Sequence, residues 1–150
     1  MCCVQQAAVD KWFSKKPSIV SFDDRLQFYH KTIDELSTGV QLHKDQDCVH
    51  LHMTPLAEAI RNHAKQWITC YGTVLLESSK KSLKALKEEL EDKSDDLEMS
   101  PDSLEDLKFV LKTISDIKDM SLDVETRIRD LQERYRVMVM YNLMVSVLLE

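Results

Sequence analysis

Residues 100–142, SPDSLEDLKFVLKTISDIKDMSLDVETRIRDLQERYRVMVMYN, constrain the fold of this 150-residue chain more than any other stretch. Leu104, Leu107, Leu111, Ile114 and Ile117, then Val124, Ile128, Leu131, Tyr135 and Met138, recur three and four residues apart. That spacing gathers them on one stripe of a helix. The repeat is interrupted at residues 119–123, where Ser121 takes an apolar position, and a slip, kink or short break is expected there. Ser100 is the expected N-cap and Pro101 the first helical residue. Asp102, Glu105 and Asp106 favour the positive helix start. Unbroken, a helix over residues 103–140 would run roughly 60 Å at about 1.5 Å per residue.

A second long helix is expected before it. Thr54 is the predicted N-cap and Pro55 the first helical residue, where its missing N–H costs nothing. Leu56, Ile60, His63, Trp67, Cys70 and Val74 share a stripe, with Gly72 a weak point costing about 1 kcal/mol against alanine. The stripe resumes as Leu83, Leu86, Leu90 and Leu97, flawed by Lys93 in a seam position. The surface here changes from Lys80, Lys81, Lys84 and Lys87 to Glu88, Glu89, Glu91, Asp92, Asp95, Asp96 and Glu98. This run reads as a solvated face, with an acidic partner-binding patch as the alternative. Glu89–Lys93, Glu125–Arg129 and Asp130–Arg134 stand at the spacing of helix-surface ion pairs.

Upstream, Ser21 is the expected cap of a shorter amphipathic helix carrying Phe22, Leu26, Tyr29, Ile33 and Leu36, stopped at Ser37-Thr38-Gly39. Residues 48–53 alternate polar and apolar side chains, the pattern of an extended strap, and no second strand is expected to pair with it. With two glycines and three prolines in the chain, a turn-dense β fold is disfavoured. The fold class expected is all-α: an antiparallel hairpin or bundle of long amphipathic helices, spectrin-like, with no sheet of consequence. Residues 1–17 are expected to be a leader with a turn or two of helix at 7–13, ended by Lys15-Lys16-Pro17. Residues 18–143 form the helical segment and residues 144–150 an apolar end.

The sequence offers little chemistry. A net charge of −6 disfavours nucleic-acid binding, which needs a concentrated basic face. Residues 137–149 are uncharged but shorter than a membrane span of roughly 20 residues. Cys2, Cys3, Cys48 and Cys70 form no CxxC pair, which fits reduced thiols in a cytosolic setting. His43, Cys48, His50 and His52, with His63 and Cys70 further on, are the one constellation that resembles a metal site. His50 and His52 also read simply as the wet side of the strap, and a zinc-binding module is the least favoured reading. Cys70 on an apolar stripe reads as a small buried hydrophobe, not a nucleophile, and Trp67 and Tyr71 as packing anchors. No Gly-rich phosphate loop, HExxH or GxSxG is present. Catalytic, cofactor and metal residues are therefore expected to be none.

Certain runs are more specific. Phe109-Val110-Leu111-Lys112-Thr113-Ile114, Leu122-Asp123-Val124-Glu125, Gln132-Glu133-Arg134-Tyr135-Arg136 and Met140-Tyr141-Asn142-Leu143 resemble the stem of dynein heavy chains. The run from Ser18 to Tyr29 and Ala64-Lys65-Gln66-Trp67 look like the axonemal members. The resemblance covers about residues 17–143. It implies a non-catalytic piece of helical tail just before the linker, cut off from an ATPase ring that would lie downstream, with residues 1–16 unlike a tail continuation. It also implies other dynein subunits or the rest of a heavy-chain tail as partners, and a ciliary axoneme as the location. Arg127, Arg129, Arg134 and Arg136 then read as helix-surface and inter-helix contacts. A free-standing spectrin-like adaptor, binding a partner helix along the seam of Leu83, Leu86, Leu90 and Leu97, is the rival reading.

Overall fold

Four helices account for most of the chain: α1 (Cys2–Phe13), α2 (Ile19–Thr38), α3 (Thr54–Glu98) and α4 (Leu104–Met140). Strands β1 (His43–Gln46) and β2 (Val49–His52) lie between α2 and α3. The architecture comes from a computed structural model that describes residues 2–38, 43–46, 49–98, 100 and 102–143; for residues 2–4, 43–46, 49 and 51 it describes the backbone. The expected all-α class holds, with helices packed against one another.

The chain divides into two compact units, Met1–Leu76 with Val137–Glu150, and Glu77–Arg136. Helices α3 and α4 each pass from one unit into the other without interruption.

In the first unit, α1 is longer than the turn or two expected, and its Val9 is fully buried. It ends as expected at Lys15-Lys16-Pro17. The Lys16 N–H donates to the Phe13 carbonyl at 2.8 Å, and Lys16 adopts a left-handed φ of 50° that turns the chain back. Helix α2 is capped three residues ahead of the expected position. Ser18, not Ser21, accepts the Ser21 N–H, through its carbonyl at 3.0 Å and its hydroxyl at 3.4 Å. Phe22 and Leu26 on α2 are buried. They share the core with Tyr71, Val74 and Leu75 of α3 and Val137, Met138 and Leu143 near the end of α4.

Gly72 is less a weak point than a site of close approach. A Cβ there would lie 3.1 Å from Cδ2 of Leu143, so the absent side chain is what lets Leu143 settle on α3.

Residues 48–53 are not a lone strap. Strand β1 pairs antiparallel with β2, placing His43 opposite His52, Lys44 opposite Leu51, Asp45 opposite His50 and Gln46 opposite Val49. The first strand, HKDQ, carries no apolar residue and so no hydrophobic alternation to reveal it. Cys48 lies outside the described residues.

In the second unit, α3 and α4 form the expected antiparallel hairpin. Glu89 meets Arg127, while Leu97 stands near Ile117 at one end and Ser82 near Arg134 at the other. Helix α4 begins at Leu104 with Ser103, not Ser100, as its cap. The Ser103 hydroxyl accepts the Asp106 N–H at 3.1 Å, and the Asp106 carboxylate accepts the Ser103 N–H at 2.9 Å. This is a reciprocal capping box with aspartate in the third place.

The break expected near Ser121 does not occur: α4 is helical throughout Leu104–Met140. The Ser121 hydroxyl turns back to the Lys118 carbonyl at 2.8 Å and the side chain is exposed. The inward residues are Val110, Thr113, Ile117, Met120, Val124, Arg127, Leu131 and Met138. Their heptad runs through Met120 without a flaw. The apparent flaw arose from following Leu107, Ile114 and Ile128, which are exposed, one residue beyond the true seam position.

Candidate interaction surfaces

The second unit has few fully buried side chains, and its seam is partly polar. Ser79, Leu86, Thr113 and Leu131 are buried. Between them the Arg127 guanidinium donates to Glu89 at 2.7 Å and reaches Asp123 at 3.4 Å. These hydrogen bonds and the neighbouring carboxylates favour the charged guanidinium, with the Glu89 bond the largest cause of its raised pKa.

Because the seam takes a polar pair, the neighbouring leucines fall to its side. Leu83, Leu90 and Leu97 are each about two-fifths or more exposed. Leu90 and Leu97 join Ile117, Met120 and Val124 around an open groove of about 430 Å³, edged by Lys93 and Glu125. A surface like this is the kind a further amphipathic helix covers. The acidic run beside it is engaged with its own lysines, Lys84–Glu88 at 3.5 Å, Lys87–Glu91 at 3.3 Å and Lys93–Asp96 at 3.7 Å. Lys93 thus takes Asp96, not Glu89. Among the described residues Glu125–Arg129 and Asp130–Arg134 form no bridge, whereas Arg136 pairs with Glu133 at 2.8 Å.

The first unit presents an aromatic surface. Trp67 and Tyr71 are packing anchors, as expected. Tyr29 stacks on Trp67 at 6.0 Å and on Tyr71 at 6.1 Å, and Trp12 meets Tyr71 edge-on at 5.2 Å. Burial, followed by the neighbouring Tyr71, raises the Tyr29 phenol pKa, with Arg25 opposing. Arg25 was not singled out by periodicity, yet its guanidinium lies 4.8 Å from the Trp12 ring centre and donates to the Tyr71 hydroxyl at 3.0 Å. Tyr141 was likewise inconspicuous. Its hydroxyl donates to Asp23 at 2.6 Å and its ring stacks on His30 at 5.1 Å.

Of the residues weighed for chemistry, Cys48 and the side chain of His43 lie outside what is described. His63 is exposed and meets Trp67 edge-on, and Cys70 is buried. Among the residues whose side chains are described, no group of three or more His, Cys, Asp or Glu is placed to hold a metal. Nor is any described helix long and apolar enough to cross a membrane.

No family profile matches the chain. Individual proteins do. Over 135 residues, 90% of the chain, it is 45% identical to dynein axonemal heavy chain 10 of Homo sapiens. Over 137 residues, 91% of the chain, it is 30% identical to the dynein-1-alpha heavy chain of the flagellar inner arm I1 complex of Chlamydomonas reinhardtii. In each case the chain spans 3% of the relative's length. Across nine-tenths of its own length, therefore, the chain is related in sequence to a small part of these axonemal dynein heavy chains.

Proposed function

We propose that the chain acts as a non-catalytic stem segment of an axonemal dynein heavy chain, just before the linker, holding neighbouring subunits in place and passing force along its helices. The observation that carries this reading is the 45% identity over 90% of the chain, which takes in both long helices. A helical α4 of 37 residues supports it, since the stem proposed is built of long helices. The partners proposed are other dynein components or further heavy-chain sequence, and the proposed location is the ciliary axoneme. No ATP hydrolysis is assigned to this segment. The test is binding of a labelled ATP analogue to the purified chain, together with co-purification from ciliary extract. Recovery with axonemal dynein subunits and no saturable nucleotide binding supports the proposal; saturable micromolar ATP binding overturns it.

The half-exposed Leu83, Leu90 and Leu97 favour a second reading, a spectrin-like adaptor that accepts a partner helix. An adaptor is monodisperse alone, whereas a stem segment requires neighbouring heavy-chain sequence to stay soluble. Sedimentation of the isolated chain separates the two.

A further inference from the structure

Leu83, Leu90 and Leu97 recur every seven residues along α3 and stay partly exposed, and Leu90 and Leu97 share the open groove with Ile117, Met120 and Val124 of α4. This face lies wholly within the second unit. Its edge carries an ordered pattern of charge. At about 100° per residue, Lys80, Lys84, Lys87, Glu91, Asp95 and Glu98 follow the leucines around α3, on the side away from Glu89 and the α4 seam. All six are exposed. The three lysines come first and the three carboxylates second, and the sign changes between Lys87 and Glu91, beside Leu90.

A charge gradient of this kind is complementary to itself. A second copy laid antiparallel, with the two-fold axis at Leu90, sets Leu83 opposite Leu97 and Leu90 opposite Leu90. The same operation brings Lys80 to Glu98, Lys84 to Asp95 and Lys87 to Glu91 of the other copy, each within two residues, or about 3 Å, of its facing position. A parallel copy sets lysine on lysine and carboxylate on carboxylate, which repels. We propose that the hairpin Glu77–Arg136 pairs with a second copy of itself across this face, α3 antiparallel to α3, closing the two hairpins into a four-helix bundle. Solvent-exposed ion pairs contribute little each, so the leucines hold the copies together and the charges fix their direction. The intrachain Lys84–Glu88 and Lys87–Glu91 bridges join side chains more than half exposed and are weak enough to be shared with a second copy. From Lys80 to Glu98 the face runs about 27 Å, and two helices abreast are roughly 20 Å wide. Two copies then bury about 1,100 Å², near the lower end of specific interfaces, which suits a reversible dimer in the micromolar range. The pairing goes beyond both readings of function and depends on neither.

The test is zero-length carbodiimide coupling of lysines to carboxylates in an equal mixture of unlabelled and heavy-isotope-labelled full chain, read by mass spectrometry, with sedimentation equilibrium giving the stoichiometry. Mixed-isotope links joining Lys80 to Glu98, Lys84 to Asp95 and Lys87 to Glu91 are expected, together with a monomer–dimer equilibrium. Lys80→Glu/Lys84→Glu/Lys87→Glu leaves the edge wholly acidic, and Glu91→Lys/Asp95→Lys/Glu98→Lys leaves it wholly basic. Each variant alone dimerises at least about tenfold more weakly, and mixing the two restores a dimer of one copy of each. Leu90→Glu, which puts two carboxylates on the axis, abolishes pairing. Circular dichroism checks that every variant keeps its helices. A parent chain that stays monomeric at high micromolar concentration overturns the proposal. So do mixed-isotope links scattered over the surface, as aggregation gives, and charge variants that fail to pair when mixed.

Discussion

Glu89 on α3 and Arg127 on α4 meet at 2.7 Å in the seam of the second unit, each with about a third of its side chain exposed. A charge pair at a position where a two-helix seam takes leucine sets register at the expense of burial. Replacing both residues with leucine is expected to raise the melting temperature and to loosen the pairing of the helices. Glu89→Leu alone leaves Arg127 only the longer contact to Asp123 at 3.4 Å and lowers it. Thermal unfolding of the two variants checks the signs, and a double variant less stable than Glu89→Leu would show that the pair itself holds the hairpin together.

The Tyr141 hydroxyl is held by Asp23 at 2.6 Å, and burial, then that hydrogen bond, push its pKa from 10.0 to about 12. A phenol whose folded value lies above its unfolded one stabilises fully below about pH 10, and that contribution disappears as pH rises towards 12. Tyr141→Phe should cost about 1 kcal/mol at pH 7 once solvent screening is allowed for. The variant should also lose less stability than the parent chain between pH 10 and 12. Urea titrations at pH 8, 10 and 12 measure both effects; parallel losses in the two proteins would count against the bond.

Gly72 and Leu143 should be coupled. Alanine at position 72 gains about 1 kcal/mol of helix propensity, but its methyl meets Leu143 at 3.1 Å. In a Leu143→Ala background that contact is gone and the gain appears in full. Gly72→Ala is therefore expected to be roughly 0.5–1 kcal/mol more favourable in the Leu143→Ala protein than in the parent. A double-mutant cycle from denaturant unfolding tests this, and additive effects would refute it.

Ser103→Ala removes the hydroxyl that accepts the Asp106 N–H at 3.1 Å. A loss of about 1 kcal/mol is expected, with fraying confined to the first turn of α4 and visible as faster amide exchange there. Ser100→Ala should have no comparable effect, since the helix begins at Leu104.

The long helices, their antiparallel arrangement and the roles of Trp67, Tyr71 and Cys70 were legible in the sequence because each rests on period or on residue character. What was misplaced was rotation about the helix axis. Apolar content pointed to Ile114 and Ile128, whereas the packed positions are Thr113 and Arg127, one residue earlier. Thr113 is buried, and the Arg127 guanidinium finds Glu89. A hydrophobic count ranks both below isoleucine, and the competing heptads are a single residue apart. Caps slipped for a related reason: Ser18 and Ser21 both satisfy the N-cap pattern, as do Ser100 and Ser103, and local composition does not choose between them. Strand β1 was invisible because HKDQ carries no apolar residue to alternate.

The division of the chain has a consequence for biosynthesis. The second unit is one contiguous run, Glu77–Arg136, whereas the first needs Val137 onward to join residues made before Glu77. On a ribosome adding about 5–20 residues per second, the middle of the chain has all its parts before the earlier part is complete. Phe22, Leu26 and Asp23 wait for Met138 and Tyr141, and in that interval α1 and α2 carry an unfinished core. The order of closure is thus inverted relative to the order of synthesis, and the vulnerable moment for misassembly falls on the N-terminal helices, not on the long hairpin.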